Sequence, residues 1–248
     1  MILKLKIGLC LMVLPYCVPV AVAAPAASGV PAASGVSEVS PYAVNSPGAQ
    51  SIAEAIKAGT ATPEQYFEAG DAADKADDMI AATHLYRLAA EGGHAKAQAR
   101  IAFIFFDSGY TDEALEFFRK AAEQGNTDGM YGIGMITAGG VGGGVAEARK
   151  WLTLAAEKGH VLALQKVADA YRNGGLGLDQ AARSGPDALL WIKRAADADY
   201  VPAVKALANA YRSGQYGLAV DAKQADDLDT KANKLTGVQE VKKTKKRR

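Results

Sequence analysis

Four pairs of adjacent alanines, Ala89-Ala90, Ala121-Ala122, Ala155-Ala156 and Ala195-Ala196, recur along the chain at separations of 32, 34 and 40 residues, and the rest of the sequence around them keeps step. Seven residues before the first alanine of each pair stand Ala82, Ala114, Ala148 and Ala188. Leu85, Phe117, Trp151 and Trp191 stand four before it, and Tyr86, Phe118, Leu152 and Ile192 three before it. Offsets of seven, four, three and zero put these side chains on one face of a helix. Three residues beyond the second alanine come Gly93, Gly125 and Gly159, with Asp199 in the fourth copy. A glycine just past an apolar helical stripe marks a helix end, because the left-handed conformation needed there carries no Cβ penalty.

A second stripe follows each turn. Ala97, Gly129, Ala163 and Ala203 precede Ile101, Ile133, Val167 and Leu207 by four, and a small residue follows each of these: Ala102, Gly134, Ala168 or Ala208. Phe105, Tyr171 and Tyr211 come four later still, with Thr137 as the exception. Each unit therefore reads as two short amphipathic helices joined by a tight turn. One such hairpin cannot cover its own apolar face, whereas four stacked in series share a continuous core. Ala dominates an apolar content of 49%, so the helices must approach closely to bury much surface. The composition excludes collagen-like, mucin-like and fully disordered chains.

The units Ala-x-x-Leu-Tyr-x-x-Ala-Ala-Glu-Gly-Gly-His from Ala82, Ala-x-x-Phe-Phe-x-x-Ala-Ala-Glu-Gln-Gly-Asn from Ala114 and Ala-x-x-Trp-Leu-x-x-Ala-Ala-Glu-Lys-Gly-His from Ala148 resemble Sel-one-like repeats, a branch of the tetratricopeptide superfamily. The likeness runs from about Ala82 to Ala225. It implies an all-α, right-handed α-α superhelical solenoid of about four helix-turn-helix repeats, at about 81–110, 111–144, 145–183 and 184–220, with capping helices at each end. Gly-rich connections such as Gly139-Gly140-Val141-Gly142-Gly143-Gly144 fit the variable inter-repeat loop of that family. The fourth unit departs from the pattern at Asp197-Ala198-Asp199-Tyr200 and is preceded by a long loop from Gly174 to Gly185.

Flanking segments complete the domain plan. Thr62-Pro63-Glu64-Gln65 is a capping-box arrangement opening an N-terminal capping helix over 61–80. Residues 221–237 read as a polar C-terminal capping helix, as the end of an array requires. At the start, Lys4 and Lys6 precede an apolar run from Ile7 to about Val22, broken by Pro15 and Pro19 and closed by Ala21-Val22-Ala23. That pattern reads as a cleaved secretory signal over 1–23. A membrane span is the competing reading, for which the run is short and carries two helix breakers. Cys17 as a lipid-modified terminus lacks the small residues such a site wants before it. Cys10 and Cys17 are the only cysteines and leave with the signal, so no disulfide or thiolate site is expected afterwards. Residues 24–60 repeat Pro-Ala-Ala-Ser-Gly-Val twice and read as a flexible linker. Lys242, Lys243, Lys245, Lys246, Arg247 and Arg248 form a basic tail within 238–248. Without signal and tail the chain holds 20 basic against 27 acidic residues.

Candidate chemistry is sparse. Gly139 to Gly144 has no Gly-x-x-x-x-Gly-Lys and follows a helix, which makes it a loop. His94 and His160 share a repeat slot, which argues for a structural role over a metal site. With no nucleophile elbow, His-Glu-x-x-His motif or recognisable acid–base pair, no catalytic residue, cofactor or metal is expected. No nucleic-acid partner is expected either. In the superfamily resembled, the first helix of each hairpin lines the concave surface. There this chain has Arg87, Arg119, Thr153 and Lys193, with Lys120 and Arg194 in adjacent slots and Lys150 three before Thr153. These form a candidate partner-binding basic stripe, with plain helix C-terminal cations as the competing reading. Gly129, Gly132 and Gly134 fall in one helix, at a summed propensity cost of roughly 3 kcal/mol, which predicts the weakest interface of the stack and a hinge.

The resulting expectation is a non-catalytic scaffold for protein–protein interaction in the bacterial periplasm or cell envelope. Its partner would be an envelope protein. The alternative is a module that binds anionic cell-wall or exopolysaccharide polymer, or a membrane surface, through the stripe and the tail.

Overall fold

The computed structural model describes residues 47–237, and within them regular structure is helical. The elements are α1 (Pro47–Ala58), α2 (Pro63–Lys75), α3 (Met79–Glu91), α4 (Ala95–Asp107), α5 (Thr111–Glu123), α6 (Thr127–Ala138), α7 (Gly144–Glu157), α8 (Val161–Asn173), α9 (Gln180–Ser184), α10 (Pro186–Asp197), α11 (Val201–Ser213) and α12 (Ala222–Leu235). The four repeats are the hairpins α3–α4, α5–α6, α7–α8 and α10–α11. The signal, most of the linker and the basic tail lie outside the described residues.

One residue per hairpin both closes the first helix and opens the second. The backbone N–H groups of His94, Asn126, His160 and Tyr200 donate to the carbonyls of Ala89, Ala121, Ala155 and Ala195, the first alanine of each pair. This six-to-one closure needs a left-handed residue just before it. Gly93, Gly125 and Gly159 supply it at φ +91°, +83° and +92°. In the fourth hairpin Asp199 takes the same conformation at φ +60°, so the turn keeps its geometry without a glycine. Lys231 of α12 holds it there, through Asp199 Oδ1 at 2.7 Å and the Ala196 carbonyl at 2.8 Å.

The seam between hairpins is a knob-and-small-residue pattern. Tyr86, Phe118, Leu152 and Ile192 are all buried. Tyr86 sits against Gly70 and Leu152 against Gly134, at distances that a Cβ on either glycine would violate. The positions four before the alanine pairs, expected as core, are less deep. Leu85, Phe117 and Trp151 are half-buried and only Trp191 is buried, while Ile101, Ile133, Val167 and Leu207 are buried as expected. Tyr171 and Tyr211 are half-buried, at the rim of the core. The buried side chains form three clusters along the stack. Phe105 and Phe117 bridge the first two, and Leu164 joins the middle cluster to the last.

Three expectations change. α1 occupies Pro47–Ala58, within the stretch read as linker, and ends in the same closure, Thr60 N–H to the Ala55 carbonyl. It is thus the first helix of a preceding hairpin whose second helix is α2. At the other end, Ala225 and Ala232 of α12 are fully buried at the spacing of Ala188 and Ala195, so the polar cap is the first helix of a fifth unit. The glycines of α6 serve close packing. A Cβ at Gly132 would lie 2.3 Å from the Phe118 ring, one at Gly134 2.6 Å from Leu152 and one at Gly129 2.8 Å from the Phe118 carbonyl. α6 is therefore clamped between α5 and α7, which removes the structural basis for a hinge there. Thr137, in the slot where other units carry an aromatic, is buried close to Gly142 and Gly143.

Candidate partner-binding face

The basic residues anticipated from the sequence do lie on the first helices, but the structure splits them. Arg87 and Arg119 are exposed, and Thr153 and Lys193 are half-buried. Lys120, Lys150 and Arg194 fold back over the aromatic rings of their own helices. Lys120 Nζ lies 4.9 Å from the centre of Phe117 and 2.6 Å from Glu116 Oε1. Lys150 Nζ lies 5.9 Å from Trp151, and the Arg194 guanidinium 4.9 Å from Trp191. These cations shield the aromatic edge of the core, an attraction worth ~0.5–1 kcal/mol at exposed sites.

Between successive first helices the surface dips into hollows. One of about 170 Å³ is lined by Arg119 and Glu123 of α5, Glu147 and Trp151 of α7, and Ile133 below them. Trp151 Nε1–H donates to Glu147 Oε1 at 2.6 Å, which holds the indole edge at the rim. The other, about 420 Å³, lies among α10, α11 and α12, with Lys193, Asp197, Asp227 and Lys231 around Leu207 and Leu228. Each cation of the anticipated stripe that reaches a hollow meets carboxylates there, so this face is mixed in charge. The tail residues lie outside the described residues.

A set of inter-repeat clamps escaped the sequence reading. His94 Nδ1 accepts the Ala97 N–H at 3.2 Å and its Nε2–H donates to Glu64 Oε2 at 2.9 Å, while its ring stacks on Phe67 at 4.4 Å. His160 repeats the arrangement: Nδ1 accepts from Ala163 at 3.0 Å, Nε2 faces Asp128 at 3.2 Å, and the ring stacks on Tyr131 at 4.5 Å. Accepting at Nδ1 assigns the proton of the neutral ring to Nε2. The hydrogen bond from His160 holds the Asp128 carboxyl below its usual range. Two tyrosines tie neighbouring hairpins in the same way. Tyr86 donates to Asp71 at 2.7 Å and Tyr200 to Asp169 at 2.6 Å. Burial, then the adjacent carboxylate, pushes Tyr200 up to about 12 and Tyr86 higher still. The signal for the clamps was present: a carboxylate two residues and an aromatic five residues after the previous second-helix cap occur together with each turn histidine.

No family model matches the sequence, and no curated protein matches it. Solved structures do. A Sel1 repeat protein from Oxalobacter formigenes is 27% identical, with a TM-score of 0.58 over 74% of this chain and 74% of that one. The repeats of this chain resemble those of Sel1-like repeat proteins and share their fold. A protective antigen of uropathogenic Escherichia coli strains with an SLR fold is 26% identical at a TM-score of 0.60. That match covers 74% of this chain, which spans only 40% of the antigen. Among the described residues of this Sel1-like stack, no group of three or more His, Cys, Asp or Glu side chains is placed to hold a metal ion. No described helix is long and apolar enough to cross a membrane.

Proposed function

We propose that this Sel1-like stack is a non-catalytic scaffold for protein–protein interaction in the bacterial periplasm or cell envelope. One observation carries the reading. The same slots recur from hairpin to hairpin and leave a row of half-buried Leu85, Phe117 and Trp151 along the first-helix face, set among charged residues of both signs. Aliphatic and aromatic anchors in a mixed polar surround are what a folded protein partner docks on. Lys4, Lys6 and the apolar run ending at Ala21-Val22-Ala23 support export.

The polyanion reading is the weaker one, because Glu123 and Glu147 share the hollow of Arg119 and Asp197 and Asp227 share that of Lys193. The test is a photo-crosslinking residue placed at Arg119 in the full chain, with capture in envelope-intact cells. A discrete protein adduct is expected, lost with Trp151→Ala and unchanged between ~50 and ~200 mM salt. Capture of polymer alone, with steep loss over that salt range, would overturn it, as would capture only in the cytoplasm.

A further inference from the structure

One edge of the stack combines exposed apolar side chains with carboxylates that have almost no cation beside them. α3 and α4 form an antiparallel hairpin, so the start of α3 and the end of α4 share an edge with the joint that opens α5. Met79 and Ile80 are 54% and 87% exposed there, Phe106 and Tyr110 37% and 57%. The repeat does not demand them. The slot of Ile80, nine before the first alanine of the pair, is Asp112, Ala146 and Pro186 in the other units.

Asp77, Asp107, Asp112 and Glu113 are exposed on the same edge and have no ion pair within 4.0 Å among the described residues. Across residues 75–80 and 106–113 the one cation is Lys75. The later joints are compensated: Arg149 follows Glu147, Arg172 and Arg183 stand either side of Asp179, and Arg212 and Lys223 either side of Asp221. An apolar surface under uncompensated negative charge fits a segment in which apolar side chains run into several cations. The sequence contains one. Residues 238–248, outside the described residues, begin with Val238 and Val241, continue into six cations and hold Glu240 as their one acid.

We propose that this edge receives segment 238–248 of a second copy of the chain. Val238 and Val241 cover Met79 and Ile80, and the cations that follow meet Asp107, Asp112 and Glu113. A second copy supplies the segment because it leaves from the end of α12, which packs on the last hairpin. Three hairpins lie between α12 and this edge, and its last turn is on the opposite, turn-side margin of the stack. The contact joins two different surfaces, so it is heterologous and copies add head to tail. It goes beyond the scaffold reading. Neither Arg119 nor the hollows of the first-helix face take part, so the crosslink placed there and this contact fail independently.

The experiment follows the fluorescence anisotropy of a labelled peptide of residues 238–248 during titration with the full chain, beside sedimentation of the full chain over a concentration series. Saturable binding is expected, about tenfold weaker at ~200 mM than at ~50 mM salt. Asp107→Asn, Asp112→Asn and Glu113→Gln together should weaken it by about tenfold. Glu157→Gln, Asp187→Asn and Asp227→Asn, which remove the same charge elsewhere on the surface, should leave it unchanged. Val238→Ser with Val241→Ser in the peptide, a change that does not touch the folded chain, should also cost about tenfold. In sedimentation the full chain should associate as its concentration rises at low salt, and the variant without the three edge carboxylates should not. Binding indifferent to those carboxylates, equal loss from the three distant changes, or full affinity of the serine peptide would overturn the proposal. So would a full chain that binds the peptide yet stays monomeric throughout.

Discussion

His160 does three jobs with one ring. It closes α7, caps α8 and reaches back to Asp128 of the previous hairpin. The last of these is titratable. Because the hydrogen bond lowers the folded-state pKa of Asp128, its contribution to stability is complete above the unfolded carboxylate range near pH ~4 and is lost as the pH falls through the folded value. Asp128→Asn should therefore melt below the native chain at neutral pH, with the gap closing progressively on acidification below about pH 4. Thermal melts across that range check it, and a gap that widens in acid would refute it. The role of His160 was legible only as a shared slot with His94. The slot is a turn position in the sequence, and the partners, thirty-odd residues upstream, become neighbours only once the hairpins stack.

At the scale of the helix, α6 sets propensity against packing. Its three glycines read as weakness because propensity counts only the helix's own backbone, at ~1 kcal/mol each. The structure replaces that with a neighbour count: Phe118, Leu152 and the α5 backbone occupy the space where side chains would stand. The two views predict opposite signs for Gly132→Ala. Propensity alone predicts a gain of about 1 kcal/mol, whereas a Cβ 2.3 Å from the Phe118 ring predicts a loss of ~1–3 kcal/mol from overpacking. Chemical denaturation decides between them, and hydrogen exchange should find α6 protected to the same degree as α8. Elsewhere the helices were legible from spacing alone, since alanines at offsets of seven and zero are fully buried in all four units. What spacing did not resolve was depth. The residue three before the alanine points into the seam, and in three of the four units the residue four before it points to the rim, a difference of one hundred degrees around the helix that any stripe pattern blurs.

For the whole molecule, the array is longer than its recognisable repeats. α12 was legible as a cap but not as a repeat, because Asp226, Asp227, Asp229, Lys231 and Lys234 obscure the two alanines that keep the phase. It covers α10 and α11 and holds the Asp199 turn. A chain ending at Val220 should lose at least ~2 kcal/mol, through uncovered apolar surface and an unsupported left-handed aspartate. It should also self-associate, as an uncapped stack does. A melt combined with sedimentation analysis tests both, and a truncated chain that stays monomeric at native stability would refute it. The residues shared between two helices, His94, Asn126, His160 and Tyr200, bear on how such an array changes over time. All four hairpins are joined by three-residue turns that end on such a residue, while the joints between hairpins range from an equally short turn at Gly109 to the long segment holding α9. Residues added at the α6–α7 or α8–α10 joint should therefore be absorbed where residues added inside a hairpin turn would break the shared closure, so a partner surface on this stack is altered most cheaply by whole hairpins.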